Sequence, residues 1–268
     1  MDNNQLDQLV EAVLTSRNYK SVCEPFIRNI GAQELARWNN LKEAIKATKN
    51  KLHQIGGAYL GGEAHYAVWL NELKTAVQSG NRQRLLQTCT RIMSHHSSTR
   101  ERLPILDQFY TIILADLPPI HSVIDIACGL HPLAIPWMPL AVPVQYYAYD
   151  IYQNMIDFLN EAMTLLSVEG YALARDVIHS SPTQKVDLAF ILKAIPCLEQ
   201  VDKSAGSRLL EAINANYLVV SFPAHSLGGR KKGMVTHYDA RFQELVADKR
   251  WPIKRFAFPT ELVFLIVK

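Results

Sequence analysis

The chain has 268 residues, of which 49% are apolar and 20% charged, values typical of an ordinary globular protein. Its length suits one large domain or a medium domain with a smaller one, and no apolar run reaches the roughly 18 residues that a membrane span needs. The N-terminus lacks the features of a signal peptide and the four cysteines are scattered, so we expect a reduced, cytoplasmic compartment.

The net charge of +3 is unevenly distributed along the chain. Residues 1–105 contain 14 Lys and Arg against 9 Asp and Glu, whereas residues 106–268 contain 14 against 16. A basic segment beside a nearly neutral one favours a polyanionic partner that contacts mainly the first segment. A solvated helical surface would give the same excess, so the charge alone leaves both interpretations open.

The first 105 residues have the apolar periodicity of helices. The pattern predicts helices over residues 7–16, 35–52, 64–78 and 81–93, and a pair of glycine doublets at 56–57 and 61–62 separates the second from the third. One face of the second predicted helix is basic and is formed by Arg37, Lys42, Lys46, Lys49 and Lys51. We therefore predict a helical domain over residues 1–105.

After Pro118 and Pro119 the pattern changes to short apolar runs that alternate with helical or looped stretches. Alternation of this kind indicates a mostly parallel sheet with helices on both faces. The last two runs are separated by only two residues, too few for a crossover, so they must pair antiparallel. Seven strands that end in a hairpin indicate the Rossmann-like fold of class I methyltransferases dependent on S-adenosylmethionine (SAM), over residues 106–268. The runs cover residues 122–127, 145–150, 171–175, 186–192, 216–222, 254–258 and 261–267.

The turn after the first strand has the features of a nucleoside site. Residues 122–127 lead into Cys128 and Gly129, and the second strand ends on Asp150. Such a turn lets backbone N–H groups approach a ligand, and the acid accepts hydrogen bonds from ribose hydroxyls. Dinucleotide-binding turns usually have three glycines where this one has a single glycine, which argues against NAD.

Two further charged residues end predicted strands. Asp176 follows the third strand, where it could accept the adenine amino group or simply act as a turn or N-cap acid. Lys193 closes the fourth strand, where methyltransferases present groups to the methyl acceptor, although a charge in that place is often merely solvated.

The segment from His95 to Arg102 combines two histidines with a predicted helix start. Adjacent histidine side chains diverge and no third ligand has a suitable spacing, so we predict no metal site. Ser98 or Thr99 is expected to open a helix by a capping box. Arg102 would then lie in the first turn, an unfavourable place for a cation, which suggests an anionic ligand such as the methionine carboxylate.

A second unusual segment runs from residue 221 to residue 234. Its glycines and three consecutive cations, Arg230, Lys231 and Lys232, predict a mobile basic loop suited to a phosphate backbone. Phe222 could stack on a base drawn out of its helix. The alternative is an ordinary flexible surface loop that follows a core phenylalanine.

Several of these motifs together resemble the aminoglycoside-resistance 16S rRNA methyltransferases that modify N7 of a decoding-site guanine (the guanine(1405)-N7 type). The resemblance extends over nearly the whole chain. Two departures are His131, where the family more often has Asn, and His96-Ser97, where His-Ala is commoner. The motifs are residues 51–59, 96–102, 125–134, 192–193 with Pro196, 221–223, 226–229 and 232–234.

The resemblance implies SAM as cofactor and the 16S rRNA of an assembled 30S subunit as partner of a monomeric enzyme. Arg102 would bind the SAM carboxylate and Asp150 the ribose. The other implied cofactor residues are His96, Ser97, Ser98, Ala127, Gly129, Asp176, Val177, Tyr59, Leu192 and Gln200. Lys193, Phe222, Arg230 and Met234 would position the acceptor, and the basic helical face with Arg230, Lys231 and Lys232 would bind RNA.

N7 of guanine carries a lone pair and no proton, so the predicted reaction needs no general base. Two other functions remain open from the sequence. One is a SAM-dependent methyltransferase of small molecules with the helical domain as a lid, against which the basic segments argue. The other is a non-catalytic RNA- or ribosome-binding protein that kept only the fold. Against this second function stands the presence of Arg102, Asp150 and Asp176.

Overall fold

The computed structural model describes residues 3–56, 59, 64–224 and 233–268. Seven α-helices precede the first strand in this part of the chain. They are α1 (Asn3–Leu14), α2 (Glu24–Arg37), α3 (Leu41–Ile55), α4 (Tyr66–Gln78), α5 (Arg82–Met93), α6 (Ser97–Arg102) and α7 (Leu106–Ile113). No helix among these described residues is long and apolar enough to cross a membrane.

The predicted helix over residues 35–52 was wrong at its start, because two helices meet there. α2 ends at Arg37, and Asn40 begins α3 by accepting a hydrogen bond on its side chain from the backbone N–H of Lys42. Asparagine is a strong N-cap residue, because its side-chain oxygen satisfies an N–H that has no partner within the helix. The lysines of the predicted basic face therefore belong to α3, and Arg37 belongs to α2.

A seven-stranded sheet follows, and all seven predicted strands are confirmed. The strands are β1 (Ser122–Ile126), β2 (Gln145–Asp150), β3 (Glu169–Ala174), β4 (Val186–Leu192), β5 (Ala215–Pro223), β6 (Ile253–Ala257) and β7 (Glu261–Val267). Their order is β3-β2-β1-β4-β5-β7-β6, with β1 to β5 parallel and β7 antiparallel to both of its neighbours. The carboxyl ends of the five parallel strands therefore meet along one edge.

Four more helices accompany the sheet: α8 (Gln153–Leu165), α9 (Ile195–Val201), α10 (Ala205–Ala212) and α11 (Met234–Val246). The sequence patterns predicted α8 and α10 but not α9 or α11. The helical region packs directly on the sheet region, since the rings of Tyr66 and Trp69 on α4 lie 5.3 and 6.0 Å from that of Phe158 on α8. The boundary between two domains at residue 105 stays a prediction.

Candidate cofactor and acceptor site

A cleft lies at the carboxyl ends of β1, β2, β3 and β4. Its wall contains eight residues that the sequence predicted: Tyr59, His96, Ser98, Ala127, Asp150, Val177, Leu192 and Lys193. It also contains eleven that the sequence did not predict: Phe26, Ile55, Gly56, Tyr149, Ile151, Tyr152, Arg175, Ile178, Ala194, Cys197 and Leu198.

Asp150 holds a carboxylate against the turn that follows β1. One oxygen accepts the backbone N–H of Gly129 at 2.9 Å, and the other accepts that of Ile151 at 2.7 Å. Burial raises the pKa of this carboxyl, and the backbone hydrogen bonds only partly oppose that effect. Each carboxylate oxygen can accept a further hydrogen bond, so the group is available to a ligand with two hydroxyls.

Gly129 is required at its position for two reasons. Its φ of +53° lies in the left-handed region that favours glycine. In addition, a Cβ atom there would lie 2.6 Å from Cε1 of His96, closer than real Cβ contacts. The imidazole therefore packs against the one glycine of the turn, a contact that no local sequence pattern indicates.

His96 closes one end of the cleft. Its ring stacks on Tyr59 with centroids 6.1 Å apart, and its buried Nδ1 has no hydrogen-bond partner among the described residues. Burial, together with the charges of Arg102, Arg100 and Lys193, lowers the pKa of His96 to about 4, so the ring is neutral near pH 7. Buried polar atoms are seldom left unpaired in proteins, so this end of the cleft suits a ligand with hydrogen-bonding groups of its own.

A buried ion cluster lies beside that end, centred on Glu261 at the start of β7. Arg102 donates to its two carboxylate oxygens at 3.0 and 2.6 Å, and Ser221 on β5 donates to one of them. Nζ of Lys193 lies 3.4 Å from Glu261 and 2.8 Å from Glu101. Burial alone would raise the pKa of Glu261, but the two cations and the hydrogen bonds lower it overall. Glu261 therefore stays ionised, and the sequence analysis missed it.

Arg102 was predicted to bind an anionic ligand from its place in the first turn of a helix, and the predicted start of that helix is wrong. α6 begins at Ser97 with His96 as N-cap, not at Ser98 or Thr99, and the Thr99 hydroxyl donates to the carbonyl oxygens of Met93 and His96. Arg102 is the last residue of α6, where a cation is favourable, and its anion is Glu261. Arg102 does not line the cleft, and its contact with the SAM carboxylate stays a prediction.

Asp176 has the contacts of a turn acid, the second of its two predicted roles. One oxygen accepts the backbone N–H groups of Ile178 and His179, and the other accepts Nδ1 of His179 and Nδ2 of Asn29. The residue is buried and lies outside the cleft wall, whereas Val177 lines it. Asp176 therefore shapes the loop beside the cleft, and its contact with adenine stays a prediction.

The remaining predicted site residues are Phe222, Gln200, Ser97, Met234 and the three cations of the 221–234 segment. Phe222 cannot stack on a base as it stands, because it is fully buried among the rings of Tyr238, Phe242 and Phe264. Gln200 is exposed on α9 and does not line the cleft, and neither does the buried Ser97. Met234 is half-buried as the first residue of α11. The three cations Arg230, Lys231 and Lys232 lie outside the described residues.

Most of the predicted RNA-binding face is exposed. Arg37, Lys42 and Lys46 are exposed and Lys49 is half-buried. Lys51 instead forms an ion pair at 2.9 Å with Glu34, which is buried on α2. Lys51 therefore contributes to the packing of α3 on α2, and its role as an RNA ligand stays a prediction.

A second network of buried hydrogen bonds lies next to the turn after β1, and the sequence did not predict it. One oxygen of Asp125 accepts hydrogen bonds from Nδ1 of His131 at 2.7 Å and from the Tyr146 hydroxyl at 2.9 Å. Nε2 of His131 bonds the Tyr110 hydroxyl at 2.7 Å. These partners fix the strand end that carries Ala127 and Gly129. No cluster of metal-ligating side chains occurs in the described ranges.

Replacement of Gly129 should weaken cofactor binding. In Gly129→Ala the new Cβ would displace the His96 ring, and the left-handed backbone would be strained by on the order of 1–3 kcal/mol. We expect at least a tenfold loss of affinity for S-adenosylhomocysteine (SAH), measured by isothermal titration calorimetry.

Gly80→Ala is the matched control, because Gly80 has a φ of +63° but open space around its Cβ position. It should carry similar backbone strain and bind SAH like the unsubstituted protein. Equal SAH affinity of the Gly129 and Gly80 variants would show that His96 does not shape the site.

Replacement of Glu261 should destabilise the fold. Glu261→Gln leaves two buried cations without their shared anion, which costs about 3–5 kcal/mol in urea unfolding at pH 7. Because the folded-state pKa of Glu261 is lowered, its stabilisation is present above the ordinary glutamate pKa and is lost as the pH falls through the lowered one. The difference in the free energy of unfolding between the unsubstituted protein and the Glu261→Gln variant should therefore become smaller at acid pH.

The control for this measurement is Glu244→Gln, which breaks an exposed pair with Arg241 at 2.8 Å. Exposed ion pairs contribute about 0–1 kcal/mol, so this variant should be nearly neutral. If the Glu261 variant were as mild as the Glu244 variant, the buried cluster would not be an important source of stability.

Comparison with known proteins is consistent with this geometry. The family model described as "Ribosomal RNA methyltransferase (FmrO)" matches residues 15–265. The chain is 35% identical to a 16S rRNA (guanine(1405)-N(7))-methyltransferase of Micromonospora rosea, over 99% of this chain and 98% of that protein. It is 33% identical to an enzyme of the same name from Serratia marcescens, over 98% of both chains.

Solved structures of similar proteins cover the chain equally well. The 16S rRNA methyltransferase RmtF, solved in complex with SAH, is 29% identical and superposes with a TM-score of 0.83 over 100% of this chain and 99% of its own. The 16S rRNA methylase RmtB is 28% identical, with a TM-score of 0.79 over 98% of each chain. From the family match and these full-length similarities, the chain belongs to the FmrO family of ribosomal RNA methyltransferases.

Proposed function

We propose that the protein transfers a methyl group from SAM to N7 of a guanine in 16S rRNA, at the position numbered 1405 in the names of its relatives. The observation that carries this proposal is the full-length similarity to enzymes of that name, 35% identical in one case. The same modification would protect the decoding site against aminoglycosides, as the resemblance of the sequence implies.

The side chains at each end of the cleft match the part of SAM that we place there. Asp150 offers a carboxylate to the ribose hydroxyls, and the apolar side chains of Val177 and Ile178 suit the adenine. At the other end His96 offers an unpaired ring nitrogen beside the cations Arg102 and Lys193, which suits the polar methionine moiety. We assign Ser98, Ala127 and Leu192 to the same moiety.

The chemistry requires positioning more than proton transfer. When bound, SAM supplies an electrophilic methyl group, and the N7 lone pair of guanine can displace it in line without a general base. Holding two reactants in the correct geometry can supply much of the rate of such a step. The residues of the protein then have the task of fixing the donor and the acceptor.

Lys193 is the residue that we assign to the acceptor. Its backbone has a φ of +57°, uncommon for a non-glycine residue, and two carboxylates hold its ammonium group. Guanine has two acceptors, N7 and O6, on the same edge, and lysine commonly donates to that edge. Contact with O6 would hold N7 toward the methyl donor. Met234 and Arg230 stay predictions for the same role.

We further propose that the helical region contacts the RNA of an assembled 30S subunit, which places the enzyme in the cytoplasm. Exposed cations on α2 and α3, namely Arg37, Lys42 and Lys46, with the half-buried Lys49, support this proposal. Contacts of this kind position a protein on phosphates without reading the base sequence. Action as a monomer stays a prediction.

The direct test is incubation of purified 30S subunits with tritiated SAM, followed by chemical cleavage of the rRNA at 7-methylguanosine. We expect one methyl group per subunit and cleavage at the guanine numbered 1405. Absence of label from the rRNA, or label at an adenine, would contradict the proposed function.

Replacement of the α3 lysines should separate RNA docking from cofactor binding. The triple variant Lys42→Ala, Lys46→Ala, Lys49→Ala should bind 30S subunits more weakly. Its affinity for 30S subunits should also depend less on salt concentration. Each lost phosphate contact lowers the slope of log K against log salt concentration by about 0.7–0.9. SAH affinity should stay within twofold, because none of the three lysines lines the cleft.

A matched control replaces Lys185, Lys203 and Lys254 by Ala, which removes the same charge from the sheet region. This control should bind 30S subunits like the unsubstituted protein. If both triple variants lost the same affinity, the effect would reflect total charge and α3 would not be the docking helix.

A further inference from the structure

The helical region forms one wall of the cleft. Phe26 on α2, Ile55 at the end of α3 and Gly56 line it from one side. Ile151, which follows β2, and Val177, which follows β3, line the same cleft at the end that we assign to adenosine. The sequence already predicted cofactor residues in the helical region, at Tyr59 and in the segment from His96 to Arg102, but none in α2 or at the end of α3.

A hydrogen bond between distant residues holds this wall to the sheet region. Nδ2 of Asn29 on α2 donates to Oδ2 of Asp176 at 2.8 Å, across 147 positions of sequence. Asp176 also binds the backbone N–H groups of Ile178 and His179. The same carboxylate therefore orders the loop at the adenosine end and attaches α2 to it.

A second connection lies at the loop that follows β2. The backbone N–H of Cys23 donates to the carbonyl oxygen of Ile151 at 2.8 Å, and that of Gln153 donates to Ser21 at 2.6 Å. Between these bonds, Val22 and Tyr152 form an antiparallel bridge. Both loops that border the adenosine end are therefore hydrogen-bonded to the chain just before or within α2.

α3 connects this wall to the surface assigned to RNA. Lys42 and Lys46 are exposed in its first half, and Ile55 reaches the cleft at its last residue. A helix rises about 1.5 Å per residue, so its 15 residues span about 22 Å. RNA that contacts the lysines and a ligand that fills the cleft would therefore both contact α3.

We propose that the helical region is an adenosine-binding wall of the cofactor site, attached through Asn29 and Asp176, so that SAM occupancy and RNA docking favour each other. Phe26 and Ile55 contact the adenosine, and Asn29 is a positioning residue that acts through Asp176. This inference rests on the proposed function. A 30S subunit that holds α3 in place orders the wall before the cofactor arrives, and the cofactor in turn orders α3 for the subunit.

Thermodynamic linkage relates the two binding affinities to each other. If 30S subunits raise the affinity for SAH by some factor, SAH must raise the affinity for 30S subunits by the same factor, and such factors are typically about 5–150. SAH carries no methyl group to transfer, so both affinities are measured without turnover.

The test compares Asn29→Ala with Asn71→Ala, a matched asparagine exposed on α4. SAH affinity is measured by calorimetry without RNA, and 30S affinity by filter binding with and without saturating SAH. The unsubstituted protein and the Asn71 variant should bind SAH equally. In both, saturating SAH should raise the affinity for 30S subunits by the same coupling factor, fivefold or more. The Asn29 variant should bind SAH about tenfold more weakly, and its coupling factor should fall toward one.

Amide hydrogen exchange supplies a readout that needs no RNA. SAH should slow exchange in α2 and α3 of the unsubstituted protein as well as in the loops after β2 and β3, and the Asn29 variant should lose the slowing in α2 and α3. A melting temperature within a few degrees for the two variants would show that both are folded.

The outcomes separate the inference from the function on which it rests. If the unsubstituted protein fails to bind SAH, the proposed function fails. If it binds SAH but the Asn29 variant matches it in affinity, coupling and exchange, the wall is not part of the cofactor site and only the inference fails.

Discussion

The site depends on one buried carboxylate, that of Glu261, placed between two cations. Arg102 comes from α6, Lys193 from the end of β4 and Ser221 from β5, so four elements meet at one charge. A buried charge is tolerated only when its partners are close and well oriented. The requirement to satisfy this carboxylate therefore fixes how α6 crosses the carboxyl edge of the sheet. It also fixes the position of His96 and Ser98, which line the cleft at the start of α6.

From that fixed edge the cleft has two chemically different ends. The end near His96 and Lys193 is polar, and its cations are paired with Glu261 and Glu101, whereas the end near Val177 and Ile178 is apolar and bordered by the helical region. SAM has the same division, with a charged methionine part and a flat adenine. We assign the selection of the acceptor to Lys193, which is buried where it lines the cleft, and to the exposed cations of α2 and α3.

The strands were predictable because their apolar runs are short and bounded by turns, and all seven lie where the sequence placed them. Residues at strand ends, such as Asp150 and Lys193, could be predicted for the same reason: parallel strands bring their carboxyl ends together. Glu261 and Asn29 could not, because they meet their partners 159 and 147 positions away and no local pattern marks them. Phe222 was misassigned because β5 lies between β4 and β7, where its side chain packs in the core.

The most direct test of the whole site is a crystal structure of the protein with SAH. We predict that the ribose hydroxyls bind the Asp150 carboxylate, that the adenine lies between Phe26 and Val177, and that the amino-acid end lies beside His96 and Ser98. SAH bound in the reverse orientation, or bound outside the cleft between the helical region and the sheet, would contradict this assignment.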